Sequence, residues 1–148
     1  MLINKSKILY DRDEEGELIP KEVSLELTKD KDSVYIIPMV EGLKRKLQSV
    51  GPIYDRIKMG KTVSDVEVSK MKNIEKEIIL KCLKTPNLTD EDYKFLRDQY
   101  KTAIFVAIVS ETIGMKQKQI GLKTNITDEL VTSEKKIDTP IDGANKEG

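Results

Sequence analysis

Apolar residues alternate with polar ones up to residue 38 and recur at helical spacing from there to about residue 113, so the chain changes period once. In the first stretch Lys7-Ile8-Leu9-Tyr10, Glu22-Val23-Ser24-Leu25-Glu26-Leu27 and Ser33-Val34-Tyr35-Ile36-Ile37-Pro38 are separated by polar turns at Glu14-Glu15-Gly16 and Lys29-Asp30-Lys31-Asp32. This predicts two or three short strands with one apolar face. A sheet that small needs a helix over its apolar side.

Helical periodicity begins near Met39. Leu43, Leu47 and Val50 stand at i, i+4 and i+7, with Lys44, Arg45, Lys46 and Gln48 among them, until Gly51-Pro52 interrupts; Ile53, Tyr54 and Ile57 add one or two turns. After the linker 59–63, Ser64 or Asp65 caps a helix of about five turns whose stripe Met71, Ile74, Ile78 and Cys82 is widened by Ile79 and Leu83. Its tail, Lys81-Cys82-Leu83-Lys84, meets a break at Thr85-Pro86-Asn87, and a new start follows at Leu88-Thr89-Asp90-Glu91-Asp92-Tyr93. Here Thr89 can accept from the backbone N–H of Asp92, the acidic residues favour the positive end of the dipole, and Leu88 can staple onto Tyr93. This last helix is predicted from Asp90 to about Ile113, with Gly114 as its stop.

From Lys116 the period vanishes, and residues 116–148 read as a flexible polar tail, mostly disordered over 121–148 and available to order on a partner. The expected architecture is α+β and mainly α: residues 1–115 as one domain, with a small N-terminal β-hairpin or sheet over 1–38 and a three- to four-helix bundle containing an αα-hairpin over 39–115.

Composition narrows the function. A chain of 148 residues suits one domain whose core folds without disulfides or metal. Charged residues make up 35%, yet 26 Lys and Arg balance 26 Asp and Glu, which removes the basic excess that nucleic acid or an anionic membrane rewards. The single cysteine, Cys82, excludes an internal disulfide and a cysteine zinc site, and a reducing, cytoplasmic setting fits. The longest apolar run is seven residues, against the roughly 20 needed to span a bilayer, and the N-terminus lacks the apolar core of a leader. With no histidine, the commonest general base and every Ser-His-Asp or Cys-His arrangement are missing, so neither catalytic residues nor a cofactor are expected.

Three motifs tempt. Residues 11–22 approach the calcium-loop pattern, with Asp11, Asp13 and Glu15 as ligands one, three and five, Gly16 at the sharp turn and Glu22 as the closing carboxylate. Glu at the fifth position, Pro20 inside the loop and strand-like flanks favour a glycine-containing hairpin turn instead. Gly60-Lys61-Thr62 resembles the end of a phosphate loop, but Asp55 stands where a glycine is needed, leaving a linker. Lys44-Arg45-Lys46 lacks an interleaved aromatic platform and reads as a solvated helix face rather than a nucleic-acid contact.

The strongest functional signal is Ala103-Ile104-Phe105-Val106-Ala107-Ile108-Val109, apolar on every face of the last predicted helix. At about 100° per residue, Leu96, Tyr100, Ala103, Ile104 and Ala107 form a core stripe continuous with Tyr93, while Phe105 and Val109 share a line with Asp98, Lys101, Thr102 and Thr112. Either a neighbouring helix covers that second side, or Phe105, Val109, Val106 and Ile113 meet a partner, for which aromatic anchors are suited. Glu111 returns to the core stripe near the negative end of the dipole, where a carboxylate is disfavoured.

A short β segment, a helical body carrying Ile79-Leu80-Lys81-Cys82-Leu83-Lys84-Thr85-Pro86-Asn87-Leu88-Thr89-Asp90-Glu91-Asp92 and a polar C-terminal tail together resemble, over about residues 20–113, the tail assembly chaperones of long-tailed bacteriophages. The resemblance implies a non-enzymatic protein made in the infected bacterial cytoplasm. Such a protein binds the tape-measure protein, keeps its long apolar helices soluble and helps recruit tail-tube subunits without remaining in the finished virion. No short active-site motif marks that family, so no residue is carried over as a functional position. Another phage structural or adaptor protein, a calcium-dependent regulator using the 11–22 loop and a nucleic-acid accessory factor are the competing expectations. Homo-oligomerisation stays open.

Overall fold

Val34 and Ile36 point inward from β2 (Ser33–Ile36) while Tyr35 between them faces out, the alternation of a strand with one buried face. The computed structural model, which describes residues 2–124 with side chains through Ile120, pairs β2 antiparallel with β1 (Lys21–Ser24), Lys21 opposite Ile36 and Val23 opposite Val34. On its other edge β2 takes β3 (Leu83–Thr85), also antiparallel, with a register shift between Tyr35 and Ile36. The fold is α+β, with this three-stranded sheet set against a helical body.

The third strand is not the Lys7–Tyr10 segment that the sequence suggested. There the chain makes a single turn, α1 (Lys5–Ile8), capped by Asn4 accepting from Lys7 N at 3.2 Å, and Ile8, Leu9 and Tyr10 stay exposed. A local side-chain cap of this kind offers the backbone an alternative to a sheet ladder. The strand comes instead from the supposed helix tail. Pro86 biases the residue before it away from helix, Leu83 already has extended dihedrals, and Ile37 N donates to Cys82 O at 2.9 Å as the chain leaves the helix. β1 also stops earlier than its alternation suggests. The carbonyl of Leu25 accepts both the N–H and the hydroxyl of Thr28, so the chain turns there and Leu25 drops into the core.

The helices follow their punctuation more closely. α2 (Glu41–Ser49) and α3 (Gly51–Lys58) are separated at Val50, with Pro52 in the first turn of α3, where its missing N–H costs nothing. α4 (Asp65–Cys82) opens on a capping box in which Ser64 accepts from Glu67 N and the Glu67 carboxylate reaches back to Ser64 N. Its predicted stripe, Met71, Ile74, Ile78 and Cys82, is buried throughout.

The expected single helix over 90–113 is two. α5 (Asp90–Tyr93) carries the Thr89–Asp92 capping box, with both hydrogen bonds at 3.0 Å, but the chain leaves helical geometry after Lys94 and restarts at Arg97 as α6 (Asp98–Ile113). Gly114 ends α6 in the left-handed conformation, φ 80°, as its sequence position suggested. Beyond it, where a flexible tail was expected from residue 116, α7 (Gln117–Thr124) forms. The expectation of disorder over 125–148 lies outside the described residues.

α6 lies between α4 and α7, while α2 and α3 pack on α4. Ile36, Leu25, Val34 and Leu83 from the sheet side join Met71, Ile78, Ile79, Ala103, Ile104, Ala107 and Ile108 in one core.

Candidate partner-binding surface

The faces of α6 sort into five neighbourhoods. Ala103, Ile104, Ala107 and Ile108 are fully enclosed in the main core. Tyr100 and Glu111 meet the β segment: the Tyr100 hydroxyl donates to Asp32 at 3.2 Å, and Lys21 on β1 supplies the partner that Glu111 lacked in the sequence, 2.9 Å away. Thr112 accepts from Met39 N at 2.9 Å while donating to Ile108 O. Phe105 and Val109 are half-buried and pack against the core, so a good part of their surface is used internally.

The remaining side holds Val106 and Ile113. Projected at about 100° per residue, Val106 lies opposite Ile104 and Ile108, yet it is 1% exposed. Val106 is enclosed within the fold, so it presents no surface to a partner in this conformation. Ile113, at the end of the helix, is 54% exposed and does.

Apolar surface that does face outward lies mostly elsewhere. Of the thirteen exposed large apolar residues among those described, six (Leu2, Ile3, Ile8, Leu9, Tyr10 and Ile19) belong to the N-terminal arm, residues 2–19. The arm has its own internal order. An isolated bridge joins Arg12 to Leu18, and the Asp13 carboxylate accepts from Glu15 N and Glu17 N, each at 2.9 Å. It nevertheless buries none of its residues fully.

The most exposed aromatic on the body is Phe95, at 78%. In the 94–97 break Tyr93 and Leu96 turn inward against the core and Phe95 turns out. Nearby, Lys101 and Lys76 stand 5.0 and 5.7 Å from the Tyr93 ring centre, a doubly cationic contact that fixes the ring. Neither the arm nor Phe95 was singled out in the sequence. On an uninterrupted helix Phe95 would have lined up with Val106 and Ile113, which was the available signal.

The other sequence candidates resolve into structural roles. Asp13 is committed to backbone amides in the hairpin turn, Glu22 sits on β1 opposite Tyr35, and no cluster among the described residues could hold a metal ion, so Asp11, Asp13, Glu15 and Glu22 do not converge. Gly60, φ 74°, is the left-handed residue closing α3: its N–H reaches Ile57 O, and Lys61 N reaches Arg56 O, the paired bonds of a Schellman cap. Each basic residue of the Lys44-Arg45-Lys46 run faces a carboxylate, Glu41 for the first two and Glu77 for Lys46. An open groove of about 670 Å³ between α2 and α4 mixes Lys46 and Lys70 with Asp65 and Glu77 and favours no single ion class.

Two ionisable clusters shape the body. The Tyr54 phenol on α3 donates to Glu75 on α4, and both are buried. Burial raises the Glu75 carboxyl above its ordinary range, against the pull of the Tyr54 hydrogen bond and of Lys72 and Lys101; burial and the Glu75 charge push the Tyr54 phenol up as well. Arg56 hydrogen-bonds and ion-pairs with Glu67, and this bond, with the Ser64 amide, holds the Glu67 carboxyl down to about 2. Burial lifts the Cys82 thiol to about 11, so it stays protonated and unreactive at neutral pH.

No helix among the described residues is long and apolar enough to cross a membrane. Comparison with family models, with curated proteins and with solved structures returns no match for this chain.

Proposed function

We propose that this protein is a non-enzymatic adaptor or chaperone that binds apolar helical segments of a protein partner, working in the host bacterial cytoplasm as the resemblance to phage tail assembly chaperones implies. On that reading the partner is a tape-measure-like protein with long apolar helices, or a tail-tube subunit. The observation that carries the reading is the N-terminal arm, whose six large apolar residues stay exposed among the described residues. Exposed apolar surface of this kind is what a holding protein needs, and a highly charged remainder keeps it in solution. Phe95 and Ile113 supply further contacts.

Co-expression tests it. The full chain is expected to keep a tape-measure-like protein in the supernatant and to co-purify with it, and the double substitution Ile8→Asp with Tyr10→Asp is expected to abolish both effects without lowering Tm. Unchanged co-purification by that variant would overturn the assignment to the arm.

A further inference from the structure

Glu75 is a buried carboxylate where several helices meet. It is 7% exposed on α4, and among the described residues the Tyr54 hydroxyl of α3 is the one side-chain donor that reaches it. α5 contributes the Tyr93 phenol and α6 contributes Lys101, but Lys101 also serves Asp98, at 3.7 Å, and the Tyr93 ring. Lys72, on α4 itself, is exposed. On α2, Lys44 takes Glu41 and Lys46 takes Glu77. Glu75 therefore sits in the core with one neutral donor and no ion pair among the described residues.

Glu67, Met71 and Glu75 recur at i, i+4 and i+8 and share one line of α4. α3 is fastened at both ends of that line, Tyr54 to Glu75 and Arg56 to Glu67, with the fully enclosed Met71 between them. Of its eight residues α3 buries two, Ile53 and Tyr54, so these fastenings carry much of its hold on the body.

The two respond to ionisation in opposite ways. Glu67 stays charged down to about 2 and keeps Arg56 throughout the neutral range. Taking the Glu75 charge out of water costs more than a single phenol donor returns. Burial accordingly raises its carboxyl, outweighing the Tyr54 hydrogen bond and the pull of Lys72 and Lys101. Lifting α3 would return water to that carboxylate. By linkage, the seated helix is favoured while Glu75 holds its proton, and the lifted one gains as pH rises through the raised value.

We propose that the Tyr54–Glu75 contact is a proton-operated latch: loss of the Glu75 proton lets the Tyr54 end of α3 lift from α4, while the Arg56–Glu67 contact keeps the helix tethered. Lifting uncovers Ile53 and the Tyr54 ring, so the body gains apolar surface as pH rises. This surface is separate from the N-terminal arm and does not depend on what the arm binds.

The test follows hydrogen exchange of the full chain from about pH 5 to about pH 8.5, corrected for intrinsic rates, a range above the ordinary carboxylate value. Protection of the α3 amides is expected to fall at least about threefold relative to those of α6, as local opening requires. Glu67→Gln is expected to keep this fall. Glu75→Gln, neutral at every pH, is expected to lose it. A carbon-13 NMR titration of the wild-type glutamate carboxyls reads the same event without substitution: one carboxyl is expected to titrate above the rest, with the midpoint of the α3 change. Protection of α3 that ignores pH, a fall shared equally by α6, a fall that persists in Glu75→Gln, or a carboxyl midpoint apart from that of α3 overturns the proposal. Should Glu75→Gln fail to fold, wild-type exchange and the titration decide.

Discussion

The hydroxyl of Tyr54 donates to the carboxylate of Glu75 inside the core, tying α3 to α4 through a polar pair that only each other's presence makes tolerable. Tyr54→Phe is expected to lower unfolding stability at neutral pH by about 1–3 kcal/mol, the cost of leaving a buried acceptor without its donor. Glu75 acts in the opposite sense. Its carboxyl is raised in the folded state, so its contribution to stability is complete below the unfolded pKa and is lost as pH rises through the folded one. Glu75→Gln keeps an acceptor for Tyr54 but cannot ionise, so it is expected to match or exceed wild-type stability at neutral pH. Its advantage should shrink towards about pH 4, where the unfolded carboxyl takes up its proton. Denaturant unfolding across that range checks both variants, and a Glu75→Gln protein weaker than wild type at neutral pH would contradict the account.

Glu67 has the reverse sign. Held down to about 2 by Arg56 and the Ser64 amide, it stabilises the fold above the ordinary carboxylate range, and that stability drains away as pH falls from about 4.5 towards about 2. In Glu67→Gln the capping box survives in neutral form, so the expected change is a flatter acid limb of the stability profile rather than a lost helix. Ser64→Ala, which removes the cap itself, should cost about 1 kcal/mol at every pH. Thermal unfolding followed at several acidic pH values distinguishes the two.

Phe95 and Phe105 are ten residues apart and should respond oppositely to the same substitution. Phe105 is half-buried against the core, so Phe105→Asp is expected to cost about 2 kcal/mol or more in stability. Phe95 is 78% exposed, so Phe95→Asp should change stability by less than about 0.5 kcal/mol while weakening retention of a tape-measure-like partner. Parallel unfolding and co-purification measurements decide. Equal stability losses at the two sites would mean that Phe95 is packed in solution.

What could be read from the letters alone follows from how local each determinant is. The α4 stripe, its serine cap, the Thr89–Asp92 box, the Gly51-Pro52 interruption and the Gly114 stop each depend on residues within one or two turns, and each stands where the sequence places it. The third strand does not. Leu83–Thr85 becomes β only because β2, some fifty residues earlier, offers it an edge, and no window around residue 83 contains that information. The 94–97 break is hidden for a similar reason: Tyr93 and Leu96 turn into a core built largely by other segments, without a glycine or proline to mark the place. α7 is hidden in the sequence because its period is carried by Gln117 and Ile120, and Gln117 counts as polar although its amide pairs with backbone and is buried. The surface predicted on α6 was displaced by the same effect. Val106, offered by the sequence as a partner contact, is 1% exposed because segments distant from it in the chain close over it.

The position of Leu83–Thr85 in the chain also governs when the sheet can exist during synthesis. β1 and β2 form an isolated hairpin of four-residue strands until the ribosome has released the far end of α4, and a two-stranded ribbon of that size is marginal in water. The newborn chain therefore carries an unfinished ribbon until α4 is complete, and the strand that completes it arrives attached to the helix that roofs it.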